Sequence, residues 1–147
     1  MDALQEFMQY AGEFERTLAD DDWSRLRRFF SDEAVYEVKA PFGCRLVGPD
    51  AIFGGIKKSL NGFDRRFPGR DIKVTSGPEV APDGLKLGWE VTYSLEGKPP
   101  FVLRGRSEAR YRDGKIAYLA DSYDPSVSDE FAAWQKKTGM ALDPSYT

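Results

Sequence analysis

A chain of 147 residues with 41% hydrophobic and 31% charged side chains is sized for one folded domain and too apolar for disorder. Its net charge of −3 comes with dispersed Lys and Arg, which argues against a nucleic-acid partner. No apolar run approaches the roughly 20 residues a membrane span needs, so no membrane partner is expected either.

Leu4, Phe7, Ala11, Phe14 and Leu18 recur at helical spacing and predict an amphipathic helix from about Asp2 to Ala19. Asp20, Asp21 and Asp22 offer cap oxygens to a second helix whose inner stripe is Trp23, Leu26 and Phe30. A short strand, Ala34 to Val38, turns at Pro41-Phe42-Gly43 into another, Cys44 to Val47. Gly48-Pro49-Asp50 opens a third helix carrying Ile52, Phe53, Ile56, Leu60 and Phe63. Arg65, Arg66 and Arg70 then read as an exposed loop.

From Asp71 the period changes to two, with Ile72 and Val74 alternating with polar residues up to Gly77-Pro78. Pro82-Asp83-Gly84 is a turn in which Pro fixes φ and Gly is expected to supply a positive φ. The next strand places Leu85, Leu87, Trp89, Val91, Tyr93 and Leu95 on one face. After the turn at Glu96-Gly97-Lys98, Phe101, Leu103, Gly105, Ser107, Ala109 and Tyr111 share a face, opposite Arg104, Arg106, Glu108, Arg110 and Arg112. Asp113-Gly114 is a hairpin signal leading to the last strand, Ile116 to Tyr123. Ser126 with Asp129 has the spacing of a capping box, and Val127, Phe131 and Trp134 mark a closing helix that ends near Gly139. Helices first and hairpins afterwards describe an α+β domain, a curved and mostly antiparallel sheet wrapped around the N-terminal helices. Residues 1–147 are read as one unit, with a helix and tail from about 126 to 147.

The chain has no histidine and one cysteine. Zinc sites of the usual ligand types and Ser-His-Asp or Cys-His machinery are therefore excluded, and no cofactor or metal is expected. Proton transfer near neutral pH falls to a carboxylate, Tyr, Lys or Cys with a shifted pKa. The N-terminus lacks the features of a signal peptide, and a lone Cys44 fits a reducing, cytoplasmic setting.

Three segments, in order and suitably spaced, carry a resemblance: Phe29 to Glu37, Gly48 to Ile52, and Asp113 to Ile116 running on to Asp121-Ser122-Tyr123-Asp124-Pro125. Together they resemble the nuclear-transport-factor-2-like superfamily, and within it the polyketide-cyclase-like (SnoaL-like) proteins. The resemblance implies a cone-shaped, cystatin-like α+β barrel with a mostly hydrophobic pocket, and often a homodimer packed through the outer sheet face. It implies no single reaction, since isomerases, dehydratases, hydrolases, cyclases and non-catalytic binders share the fold. Carried over by position, the ketosteroid-isomerase base falls on Val38, the helix-1 tyrosine near Phe14 and the second acid near Ser107. None of these can play its family role, and all three are expected to line a ligand site instead. Asp121 matches the last-strand aspartate of limonene-epoxide-hydrolase-like enzymes, but their Arg-x-Asp partners have no equivalent around Glu90 to Thr92.

Asp121 is the strongest candidate for chemistry, because it follows Ala117 and Leu119 at period two on an apolar face where ionisation is costly. It is either a general acid or base, or a carboxylate satisfied by a backbone N–H or by an arginine near the strand's end. Tyr93 is the candidate to polarise a substrate oxygen, while Tyr36, Trp89 and Tyr123 either line the pocket or only pack the core. Glu37 should point away from Tyr36, and Arg45 is a possible depressor of the Cys44 pKa. Two functions stay open: a cofactor-independent enzyme (isomerase, dehydratase, cyclase or hydrolase) for a hydrophobic or aromatic molecule, and a non-catalytic ligand-binding or dimeric interaction module.

Overall fold

The computed structural model describes residues 2–147. Helix α1 (Ala3–Asp20) starts on a reciprocal cap, in which Asp2 accepts from the Gln5 amide at 2.8 Å and the Gln5 side chain accepts from the Asp2 amide at 3.3 Å. Its inward stripe includes Phe7, Tyr10 and Phe14, and it ends where Asp21 adopts a left-handed φ of 61°. Asp22 caps the next segment as expected, accepting from the Ser24 amide at 3.1 Å.

That segment is not an α-helix. Trp23–Phe29 coils as a 3₁₀ helix, and Phe30 is already the first residue of β1 (Phe30–Val38) rather than part of a helical stripe. Phe29 and Phe30 are both almost fully buried. Adjacent residues diverge around a helix, so burying both favours a change to extended chain between them. The strand therefore begins four residues earlier than Ala34 and contains an irregularity between Phe30 and Val35.

Strand β2 (Cys44–Val47) pairs back onto β1, and α2 (Pro49–Gly62) follows with Pro49 at its first turn and Gly48 at φ 87°. Then come β3 (Gly69–Ala81), β4 (Gly84–Ser94), β5 (Phe101–Arg112) and β6 (Lys115–Tyr123). The sheet order is β2-β1-β6-β5-β4-β3. Every pairing is antiparallel except β1 with β6, which run parallel and join the N-terminal part of the sheet to its last strand. The sheet curves without closing and leaves β2 and β3 as edges, the latter running past Gly77-Pro78 to Ala81.

Asp113 and Gly114 take φ values of 53° and 75°, the primed turn their sequence predicts. Gly84 departs from its expectation, for it is absent from the positive-φ positions. Its glycine serves close approach instead, because a Cβ there would collide with the Ala109 carbonyl on β5. Helix α3 (Val127–Thr138) ends as expected at Gly139, φ 73°. The capping box at Ser126 does not form: Ser126 is already helical, and its side chain makes no cap bond.

One core cluster packs α1 and α2 against the sheet through Phe7, Tyr10, Ile52, Ile56, Leu60, Tyr36 and Leu119. A second joins α3 to the other end through Phe63, Phe67, Tyr93, Phe101, Phe131 and Trp134. Phe42, Trp89 and Tyr123 touch both. The C-terminal tail packs across α2, with the Asp143 amide donating to the Gly62 carbonyl at 3.2 Å and Ser59 Oγ to the Pro144 carbonyl at 2.6 Å. On the outer sheet face Glu90 pairs with Arg104 at 3.2 Å and Lys73 at 3.6 Å. No helix among the described residues is long and apolar enough to cross a membrane.

Candidate functional site

The concave side of the sheet and the two helices enclose a cavity of about 380 Å³, a volume suited to a small organic ligand. Phe7, Phe14, Ile56, Leu60, Leu87 and Leu119 are among its apolar walls. Asp121 lies on β6 between Leu119 and Tyr123, all three lining the cavity. The registers explain its partners. Ser107 is its direct neighbour on β5, and on the other side β1 brings in Tyr36.

The Tyr36 hydroxyl donates to Asp121 Oδ2 at 2.5 Å, and Ser107 Oγ donates to Oδ1 at 2.6 Å. Trp89 Nε1 in turn donates to Ser107 Oγ at 2.9 Å, so indole, hydroxyl and carboxylate form one chain. Gly105 makes room for it, because a Cβ there would stand 2.8 Å from the Trp89 ring. Burial pushes the Asp121 carboxyl above its ordinary value, while the bonds from Ser107 and Tyr36 favour the ionised form and oppose the rise. Burial, and then the charge of Asp121, push the Tyr36 hydroxyl well up. Tyr146 is raised to about 12, again by burial first. These phenols stay protonated near neutral pH and can only donate to an oxyanion.

Of the residues singled out in the sequence, Asp121, Tyr93, Tyr36, Phe14, Trp89, Ser107 and Tyr123 all line this cavity. Val38 does not. Contrary to the expectation that it lines the ligand site, its side chain, 2% exposed, is packed into the core, where an apolar β-branched residue on a central strand is buried among its neighbours. Tyr93 reaches the cavity far from Asp121. Asp121 is level with Ser107, and Ser107 with Leu87, so Tyr93 stands six residues along β4, about 20 Å of extended strand. Its hydroxyl donates to Asp64 Oδ2 at 2.8 Å.

Glu37 faces away, as expected, bonded to Lys39 and to Tyr118 at 2.7 Å. Arg45 does not activate Cys44, because burial raises that thiol. Among the described residues no group of three or more His, Cys, Asp or Glu is placed to hold a metal ion.

Several lining residues escaped the sequence reading. Tyr10 sits on the same helical stripe as Phe7 and Phe14, a spacing that signals burial but not which aromatic bears a hydroxyl into the cavity. Tyr146 comes from the tail, with its ring edge-to-face to Tyr36 at 5.8 Å and its hydroxyl 3.3 Å from that of Tyr123. Asp64 and Arg70 flank the loop read as exposed, yet both side chains are only 13% exposed. No local pattern announces them, since their burial depends on Tyr93 and α1.

Comparison with known proteins places this geometry in context. No curated protein matches the chain in sequence. A Bacillus subtilis protein carrying the provisional name isomerase superposes with a TM-score of 0.66 at 17% identity, over 97% of this chain and 100% of that one. A Xanthomonas campestris protein provisionally named polyketide cyclase gives 0.54 at 20% identity, over 88% and 96%. A Catenulispora acidiphila protein with a ketosteroid isomerase-like fold, solved with trimethylamine, gives 0.59 at 17%, over 90% and 93%. At these identities the likeness is one of fold. The model of the SnoaL-like domain matches residues 11–119, most of the chain, and this protein belongs to that family.

Proposed function

We propose that this protein is a cofactor-independent enzyme that moves a proton on a hydrophobic or aromatic small molecule, with Asp121 as the acid–base group. The observation that carries the reading is a carboxylate raised by burial, open to an apolar cavity, and fixed by two hydroxyl donors on neighbouring strands. Such a group is ionised often enough to take a proton and acidic enough to return it. The reaction that fits best is enolisation next to a carbonyl, the step common to isomerases and cyclases.

Tyr10 takes the role first considered for Tyr93. It lines the cavity one helical turn before Phe14, and burial raises its hydroxyl so that it stays protonated near neutral pH. That leaves a donor for a developing enolate oxygen.

The competing reading is ligand capture without chemistry, favoured by Val38 standing where an isomerase would carry its base. Aromatic β-diketones in deuterium oxide separate the two, with exchange of the α-proton followed by NMR. Exchange accelerated by the wild type and lost in Asp121→Asn supports the enzyme. Binding of the diketone with no accelerated exchange in either protein leaves capture as the function.

A further inference from the structure

The cavity has a second polar end, about 20 Å of strand away from the level of Asp121 by the same count along β4. At that end Arg70 opens β3 opposite Tyr93 in the register. Arg70 Nε donates to Asp64 Oδ2 at 3.1 Å, the oxygen that also accepts from Tyr93 at 2.8 Å, and Nη1 donates to Glu15 Oε1 at 2.5 Å. Two polar atoms of this cluster remain open. Arg70 Nη2 and Asp64 Oδ1 make no hydrogen bond among the described residues and neither is sealed by protein, although each side chain is only 13% exposed; Glu15, Asp64 and Arg70 also border a surface cleft beside Asp21 and Arg65. Asp64, Arg70, Glu15 and Tyr93 all line the cavity.

We infer that this cluster is a second ligand-recognition site, which selects elongated neutral molecules bearing a hydroxyl, phenol or primary amide at the end remote from Asp121. An open donor beside an open acceptor matches a group that both accepts and donates. An anionic tail is disfavoured, since two carboxylates, Asp64 and Glu15, surround one guanidinium. Two joined aromatic rings with a polar group at each end span roughly 10 Å, about three residues of extended strand, and are the shape that tests whether one molecule bridges the two polar sets. The apolar walls between them, Phe14, Leu60 and Leu87 included, accept the ring bodies. The inference rests on the cavity being a ligand site and adds which molecules it prefers.

The test is calorimetric titration with three probes of one shape: biphenyl, para-hydroxybiphenyl and the biphenyl with a para-hydroxyl at each end. Wild type should bind the doubly hydroxylated probe about tenfold more tightly than the singly hydroxylated one, the strength of a hydrogen bond to a charged group. Arg70→Lys, which keeps the charge and loses the fork, should abolish that preference. Asp64→Asn, which exchanges the charged acceptor for a weaker one, should reduce it. Retained biphenyl binding and a retained thermal unfolding transition in each variant report an intact cavity. Equal affinity for the two hydroxylated probes in wild type, or a preference that survives both substitutions, overturns the inference alone. Failure of all three probes to bind overturns it together with the ligand-site reading.

Discussion

Replacing Tyr36 with Phe isolates the interaction that tunes Asp121. The substitution removes one hydroxyl and keeps the ring, including its edge-to-face contact with Tyr146. The lost bond is a 2.5 Å donation to a carboxylate oxygen, leaving Ser107 as the other side-chain donor to that group. A hydrogen bond to a charged group contributes about 1.5–3 kcal/mol. At about 1.4 kcal/mol per tenfold change in the proton equilibrium, the Asp121 midpoint should move up by roughly one to two pH units.

The sign follows from the balance of causes. Burial already raises this carboxyl and the two hydroxyls hold it down, so losing one lets burial act further. A carboxyl-carbon NMR titration of wild type and Tyr36→Phe, with Asp121 assigned by its Asn variant, reads the change directly. The acidic limb of the proton-exchange profile, where the base ionises, should move up by the same amount. An unchanged or lowered midpoint refutes the reasoning, because it would mean that the hydroxyl does not favour the ionised form.

Asp121→Asn should stabilise the fold as pH rises. The folded carboxyl titrates above the ordinary 3.8, so below that value both states are protonated and the variant gains nothing. Above it the unfolded chain ionises first and wild type loses stability, by about 1.4 kcal/mol for each pH unit, until the folded pKa is passed. Urea melts across this range check it, and a wild type that gains on the variant with rising pH contradicts the burial argument. Tyr146→Ala removes a partly buried ring from the cavity wall. It should cost roughly 2 kcal/mol in thermal or urea unfolding, less than a fully buried aromatic, and loosen the binding of aromatic probes. Unaltered probe affinity would remove the tail from the site. A homodimer packed through the outer sheet face should sediment at twice the chain mass and weaken when Arg104 is changed to Glu, leaving that carboxylate facing Glu90. A monomer at all concentrations rejects it.

The fold was legible where one period dominates a segment. The stripe of α1, the alternation of β4 and β5 and the Asp113-Gly114 turn each agree with tertiary structure, because local preference and burial point the same way. Asp121 was legible for a related reason: a carboxylate among apolar residues of one parity must face the same side as they do. What the sequence concealed depends on contacts between distant segments. The parallel pairing of β1 with β6 joins residues more than eighty positions apart, and with it comes the Tyr36 hydroxyl. Arg70 looked like a surface arginine because its partners, Glu15 and Tyr93, lie on α1 and β4. Gly84 was placed in the right turn for the wrong reason, since the demand on it comes from the Ala109 carbonyl across the sheet.

The parallel pair also explains why Asp121 is enclosed between two hydroxyl donors. On an edge strand a carboxylate would meet water on one side, and its pKa would stay near the ordinary range. β6 instead has β1 on one side and β5 on the other, and each contributes a hydroxyl donor. The arrangement depends on register, because side chains alternate faces along a strand. A one-residue slip of β1 would turn Tyr36 outward and bring Glu37 into the cavity, setting a second carboxylate beside the first. Glu37 is held on the outer face by Lys39 and Tyr118. Those surface contacts, remote from any ligand, therefore help to keep one acid rather than two inside the cavity. A pair of neighbouring carboxylates would titrate as a coupled dyad, whereas a single one tuned by hydroxyls has one midpoint, set by burial and adjustable at Tyr36 and Ser107.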